Sequence, residues 1–293
     1  MQKIVLLGAT GFIGSNIAQE LNCRGRDWLG VSRSGGADSD FKTVKLVDDS
    51  LKKALDEKPI VINAIGGLKP RDFEENFESA MTEFWNLTNT VLNLLRDKPP
   101  SLLMQISSAG TIYGDALFTP SVETDSPAPS SWYGRMKLVE EALFQQLAAT
   151  NNVPFICARV SNPFGNVNHP KHGLVDVLVD HIREGKVFNA CFPKGAQRDF
   201  IYAPEMARIL VDMIDRPVPG VFNVASGESI KLQELIQFVR SKLPNALIKE
   251  TISTKTDVRC SSLCTEKLSK TYGLRASSLT AFEYLRNELF REE

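Results

Sequence analysis

The chain is 293 residues long, 43% hydrophobic, with a formal net charge of −1, a length that accommodates one large core or two linked lobes. A near-neutral balance gives no electrostatic reason to expect nucleic acid or a membrane surface as partner, and no apolar run approaches the ~18 residues of a membrane span. The five cysteines, Cys23, Cys157, Cys191, Cys260 and Cys264, never form a C-x-x-C pair, which fits reduced, structural thiols in a cytoplasmic protein whose first residues read as a core strand and not as a signal peptide.

Ile4, Val5, Leu6 and Leu7 form a short apolar run that suits a strand buried on both faces. Gly8, Gly11 and Gly14 follow at once, and Ile13, Ile17 and Leu21 then recur at helical spacing. Spaced glycines alone are as often plain turn residues. Between a strand and a helix they suit a dinucleotide: Gly8 permits the tight turn, Gly11 lets a pyrophosphate approach the backbone, and Gly14 lets the helix pack closely. The phosphates then meet the helix N-terminus. Thr10, Phe12 and Ile13 share this turn and join the glycines as candidate cofactor contacts.

Asp27 to Val31 reads as a second strand, closing at Ser32 and Arg33. An acidic residue at this place would accept from the ribose 2′-hydroxyl of NAD; a hydroxyl and a cation suit the 2′-phosphate of NADP, so NADP is favoured over NAD, the alternative being a solvated loop arginine. Thr43 to Val47 reads as a third strand ending at Asp48 and Asp49, where a carboxylate such as Asp48 could meet the adenine edge. Pro59 to Ala64 is a fourth, and its exit through Ala64, Ile65 and Gly66 is small enough for a cofactor to lie across the strand ends. A helical pattern covers 72–96, and Leu102 to Ser107 is a fifth strand. This alternation predicts an α/β fold with a doubly wound parallel sheet of Rossmann type.

After a proline-rich loop comes Ser131-Trp132-Tyr133-Gly134-Arg135-Met136-Lys137, opening a helix. Tyr133 and Lys137 are four apart and share a helical face. A phenol titrates near ~10 when unperturbed, and a neighbouring ammonium lowers that value by favouring the phenolate. The pair therefore suits proton transfer to or from a sugar hydroxyl. His169 and His172 lie close together in a polar loop with no third ligand nearby, which reads as surface and not as a metal site.

At this point the chain resembles the extended short-chain dehydrogenase/reductase family, the NAD(P)-dependent nucleotide-sugar epimerases, dehydratases and reductases. The resemblance rests on Gly-Ala-Thr-Gly-Phe-Ile-Gly at 8–14, Ser-Ser-Ala-Gly-Thr-Ile-Tyr-Gly at 107–114, Tyr133 with Lys137, Ala-Arg-Val-Ser-Asn-Pro-Phe-Gly at 158–165, Gln-Arg-Asp-Phe-Ile-Tyr at 197–202 and Phe-Asn-Val-Ala-Ser-Gly at 222–227. It implies a cofactor domain over 1–165 plus 198–224 and a smaller substrate lobe over 166–197 plus 225–293, segments that lack the strand–helix rhythm. It further implies hydride transfer at C4 of a nucleotide-linked hexose, with Tyr133 as proton donor and Lys137 holding both the phenolate and the cofactor ribose. Asn162, Arg198 and Arg259 become candidate contacts to the sugar nucleotide, with an ion pair between Arg198 and Asp199 as the structural alternative. A homodimer is the expected assembly.

Three departures from the family pattern qualify this reading. Ala109 stands where the family places a serine or threonine, so the second carbonyl donor passes to Ser108, with Thr111 as rival. Phe84 stands where an asparagine is usual. Gly110-Thr111 replaces the Asp-Glu pair of the dehydratases, which argues against 4,6-dehydration. A 4-ketoreductase releasing its cofactor is slightly favoured over an epimerase that retains it. A non-catalytic nucleotide-binding relative is the reading from another class.

Overall fold

The structure is a computed structural model that describes residues 2–37, 41–116, 119–166, 173–253, 258–273 and 279–290. His169 and His172 lie outside the described residues. The elements begin β1 (Ile4–Leu7), α1 (Phe12–Cys23), β2 (Trp28–Val31), β3 (Gly36–Ala37), β4 (Lys42–Val44), α2 (Asp49–Asp56), β5 (Ile60–Asn63), α3 (Pro70–Glu75), α4 (Phe77–Asp97), β6 (Leu102–Ser108), α5 (Ala109–Ile112), α6 (Trp132–Thr150) and β7 (Phe155–Val160). They continue through β8 (Asn162–Phe164), α7 (Leu174–Arg183), β9 (Phe188–Phe192), β10 (Gln197–Tyr202), α8 (Ala203–Asp215), β11 (Gly220–Val224), β12 (Ser229–Lys231), α9 (Leu232–Lys242), β13 (Ile248–Ile252), α10 (Glu266–Tyr272) and α11 (Ala281–Leu289). No helix is long and apolar enough to cross a membrane among the described residues.

The chain divides into two units: residues 1–108, 131–159 and 207–222 form the first, and 109–130, 160–206 and 223–293 the second. The first is built on a sheet in the order β11-β7-β6-β5-β1-β2-β4-β3. β1 pairs in parallel with β2 on one side and β5 on the other, β2 with β4, and β5 with β6, while two-residue β3 closes the edge antiparallel. This is the doubly wound arrangement expected from the alternation of strands and helices. On one face Val5, Leu7, Val61 and Leu103 pack with Leu51 and Leu55 of α2, Val91 and Leu95 of α4, and Phe144 and Leu147 of α6.

Local chemistry redraws several expected boundaries. The helix expected over 72–96 is interrupted at Asn76, whose extended backbone ends α3 and whose side chain accepts from Ser79 N–H to cap α4. The third strand stops at Val44 because the chain turns, Asp48 N–H donating to Lys45 C=O, in order to start α2.

The second unit holds two small sheets, one with β10 between β12 and β8, the other pairing β13 with β9. Its core gathers Phe164, Val179, Phe188, Phe200, Leu235, Ile236 and Leu285. The segments expected to lack a strand–helix rhythm do alternate, α7 with β9 and α9 with β13; β9 buries only Phe188 and Ala190 and β13 buries none of its residues, so the strands show little apolar signal in the sequence. The unit boundaries fall near 160 and 207, where 166 and 198 were expected. β10 is paired by β8 and β12, which draws 198–206 into the second unit.

Candidate functional site

The glycine turn after β1 is built by backbone crowding. Gly8 has φ +79°, and a Cβ there would lie 2.6 Å from Ala64 O. A Cβ on Gly14 would lie 2.0 Å from Gly8 O, so α1 starts directly against the turn. Gly8 and Ala9 N–H donate to Val31 C=O, and Gly11 N–H donates back to Gly8 C=O. Thr10 follows in the same turn, Gly11 takes the N-cap position with no side-chain cap, and Phe12, Ile13 and Gly14 form the first turn of α1. No side chain competes at the N-cap for an anion approaching the helix start.

The neighbouring loops depart from expectation at three residues. Ser32 is buried; its hydroxyl pairs with Thr43 Oγ1 at 2.7 Å and accepts from Gly35 N–H at 3.1 Å, so it braces the β2–β3 turn. Arg33 is not solitary: its Nη2 donates to Glu83 Oε1 of α4 at 2.8 Å, with 78% of its side chain exposed. Asp48 caps α2 by accepting from Ser50 N–H, and that bond holds its carboxyl below the ordinary range. Ala64 N–H donates to Leu7 C=O, Ile65 N–H to Asn63 Oδ1, and Gly66 has open space around it.

Tyr133 and Lys137 lie in the first turns of α6, which Ser131 caps by accepting from Gly134 N–H. Lys137 is buried; its Nζ donates to Ile106 C=O of β6 at 3.1 Å and pairs with Glu140. Tyr133 packs beside Phe73, Ala80, Phe84 and Met136. The lowered phenol value expected from Lys137 is not found. Burial pushes Tyr133 up, the Lys137 ammonium pulls it down, Glu140 pushes it up again, and the net direction is above an ordinary phenol. Lys137 also stands above its ordinary value, since Glu140 and Tyr133 together outweigh the cost of burial.

Phe84 fills the place of the usual asparagine with apolar packing against this cluster. Ser108 ends β6 in the first unit, and Thr111 sits in α5 of the second. Ala109 is buried in a cluster with Tyr113, Ala225 and Leu263, which makes it a packing residue. Sequence reasoning missed Glu140, Gln105 and Asn63, although the i, i+3 spacing of Lys137 and Glu140 was there to be read.

In the second unit, Asn162 Nδ2 donates to Asp199 C=O at 2.8 Å. Arg198 donates to the carbonyls of Gln197 and Arg259, and Asp115 Oδ1 accepts from the N–H groups of Arg259 and Cys260. Lys194, Gly195, Gln197, Arg259 and Cys260 line a pocket of about 180 Å³. Asp199 is buried, with Ser226 and Gly227 N–H donating to its carboxylate at 2.9 and 2.8 Å. Burial nevertheless lifts its carboxyl to about 6.

Comparison with known proteins places the family and the fold. Residues 4–225 match the model of the NAD dependent epimerase/dehydratase family. Among curated relatives, dTDP-4-dehydro-6-deoxyglucose reductase of Escherichia coli is 30% identical over 140 residues, 47% of this chain and 44% of that protein, so the match spans less than half of the relative. dTDP-6-deoxy-L-talose 4-dehydrogenase (NAD(P)(+)) of Kitasatospora kifunensis is 25% identical over 81% of this chain and 78% of its own. Among solved structures, UDP-glucose 4-epimerase of Thermus thermophilus in complex with NAD shares the fold at a TM-score of 0.83, covering 98% of each chain at 19% identity. The structure of MoeE5 with UDP-glucuronic acid and NAD gives a TM-score of 0.85 at 20% identity, covering 98% of this chain and 100% of that one. The family match runs from β1 through the glycine turn and α6 to the strand that closes the sheet, and on that match the chain belongs to the NAD dependent epimerase/dehydratase family.

Proposed function

We propose that the protein is an NAD(P)-dependent 4-ketoreductase of a nucleotide-linked hexose, with Tyr133 as proton donor. The observation that carries this reading is the placement of Tyr133 and buried Lys137 on α6, against the end of β6, in the same unit as the glycine turn. The turn fits a dinucleotide by its own geometry, since Gly8 and Gly14 have no room for a side chain and the α1 N-cap carries none. Gly8, Thr10, Gly11, Phe12, Ile13 and Gly14 would hold the pyrophosphate, and Ala64, Ile65 and Gly66 would border the cofactor's path. When bound, the nicotinamide supplies the hydride.

The chain's own residues handle the proton. Tyr133 donates to the carbonyl oxygen as it becomes a hydroxyl, Lys137 stabilises the phenolate left behind and binds the ribose, and Ser108, with Thr111 as rival, polarises the carbonyl. Asn162, Arg198 and Arg259 would take the nucleotide diphosphate, to which a guanidinium fork is suited. The reductase preference draws on the two relatives named for a reductase and a 4-dehydrogenase.

NADP remains the favoured cofactor through Arg33 alone, because Ser32 is engaged in its turn. The exposed pair with Glu83 holds Arg33 by no more than about 1 kcal/mol and can open. A homodimer is supported by the exposed Phe77 and Trp85 of α4 and Trp132 and Val139 of α6; light scattering tests it.

The deciding experiment is stoichiometric. A matching 4-keto sugar nucleotide should consume NADPH one for one, seen as falling nicotinamide absorbance. Product formation without net NADPH loss, from protein carrying tightly held cofactor, would mean a 4-epimerase. Failure of every 4-keto or 4-hydroxy sugar nucleotide would leave a binding module.

A further inference from the structure

The buried ammonium of Lys137 has a carboxylate for a neighbour. Glu140, one turn further along α6, pairs with it, and the two side chains are only 10% and 12% exposed. Glu140 is itself braced: its Oε2 lies 3.5 Å from Nε2 of Gln105, which also donates to Ile106 C=O at 2.9 Å. Gln105 Oε1 in turn accepts from Asn63 Nδ2 at 2.8 Å. A buried carboxylate at this place does three things. It keeps the ammonium charged where burial alone would favour the neutral amine, it fixes where Nζ sits, and it offsets the pull of that ammonium on a phenolate.

We propose that Glu140 is a positioning residue that holds the Lys137 ammonium against the Ile106 carbonyl and tempers its attraction for the Tyr133 phenolate, so that Tyr133 remains a proton donor across the neutral range. The proposal rests on the reading of Tyr133 and Lys137 as the proton-handling pair. Burial is the largest cause of the upward direction found for Tyr133, and Glu140 adds to it against the pull of Lys137. The other groups around the pair do not supply the same effect. β7 presents Cys157, whose thiol burial keeps protonated, and Arg159, which is paired with Glu141 of α6. β6 presents the Gln105 amide and the Ile106 carbonyl, and α3 and α4 present Phe73, Ala80 and Phe84.

Ultraviolet difference titration of the intact protein tests this, with Tyr133→Phe subtracted to isolate one phenol among the five tyrosines. The wild-type transition should lie above the ~10 of an unperturbed phenol, and Glu140→Gln should lower it by about one pH unit or more. Glu140→Asp, which keeps the charge, should stay nearer the wild type. In turnover, Glu140→Gln should move the alkaline limb of ketone reduction down by the same amount with KM little changed. A wild-type transition at or below ~10, or a Glu140→Gln transition unmoved from wild type, overturns the proposal. Glu140→Met serves if the glutamine variant does not fold, and if neither charge-free variant folds the wild-type transition decides. The titration needs no substrate, so the two readings fail separately: a moved transition in an inactive protein refutes the ketoreductase, and an unmoved one in an active enzyme refutes the role of Glu140.

Discussion

Glu141 grips Arg159 through two parallel hydrogen bonds, 2.9 Å from Nε and 2.7 Å from Nη2, with both side chains buried between α6 and β7. Such a pair adds little over an apolar replacement, but breaking it strands a charge. Glu141→Gln or Arg159→Met should therefore cost about 3–5 kcal/mol in denaturant unfolding, and an apolar double replacement should recover most of the loss. Equal destabilisation in single and double variants would refute this account.

Gly14→Ala should be among the most damaging small changes in the chain, because its Cβ would arrive 2.0 Å from Gly8 O and push α1 off the turn. We expect a loss of about 1–3 kcal/mol, the range of overpacking, together with at least tenfold weaker cofactor binding by fluorescence titration. Gly66→Ala, with open space around it, should change stability by less than about 0.5 kcal/mol.

Tyr133→Phe should bind cofactor normally and lose ~10²-fold or more in turnover. Ser108→Ala should lower turnover at least about tenfold with cofactor affinity unchanged. If Ser108→Ala is silent while Thr111→Val is crippled, the carbonyl donor is Thr111.

Arg33→Ala should reduce an NADP preference of at least ~10-fold to near parity, the effect of losing one charge-assisted phosphate contact. Glu83→Gln should act oppositely, since Glu83 competes with a phosphate for the same guanidinium. Isothermal titration of both cofactors reads both effects, and equal wild-type affinities would make Arg33 a surface residue.

Asp199 should give an unusual pH dependence of stability. Its folded value of about 6 lies above the 3.8 of a free carboxyl, so between those limits the folded state binds the proton more tightly than the unfolded chain does. Stability from this group therefore falls as pH rises through about 4 to 6, by up to about 3 kcal/mol, the reverse of an ion-paired aspartate. Asp199→Asn should flatten that slope in unfolding midpoints measured from pH 4 to 7.

The first unit was legible in the sequence because its signals are local. Ile4 to Leu7, the three glycines and the four-residue step from Tyr133 to Lys137 each state a conformation within a few residues. What stayed hidden depended on partners distant in sequence. Ser32 reads as a phosphate ligand until Thr43 takes its hydroxyl, Arg33 reads as a lone cation until Glu83 reaches it, and Tyr133 reads as activated until its burial beside Phe73 and Phe84 is counted. In the second unit, β9 and β13 bury so few side chains that periodicity could not announce them.

The buried amide bridge from Asn63 to Gln105 bears on how the sheet assembles. β5 and β6 meet along Ile60-Val61-Ile62 and Leu102-Leu103-Met104, and Asn63 stands opposite Gln105 at the end of that run. Apolar side chains of similar size would tolerate a slipped alignment almost as well as the native one, since each would still find a greasy neighbour. A slip would leave two amides without partners in the interior, at about 1–3 kcal/mol for each stranded group. The bridge therefore discriminates against mispaired strands more than it strengthens the correct pairing, and the strand exits at Ala64 and Ser108 inherit their alignment from it.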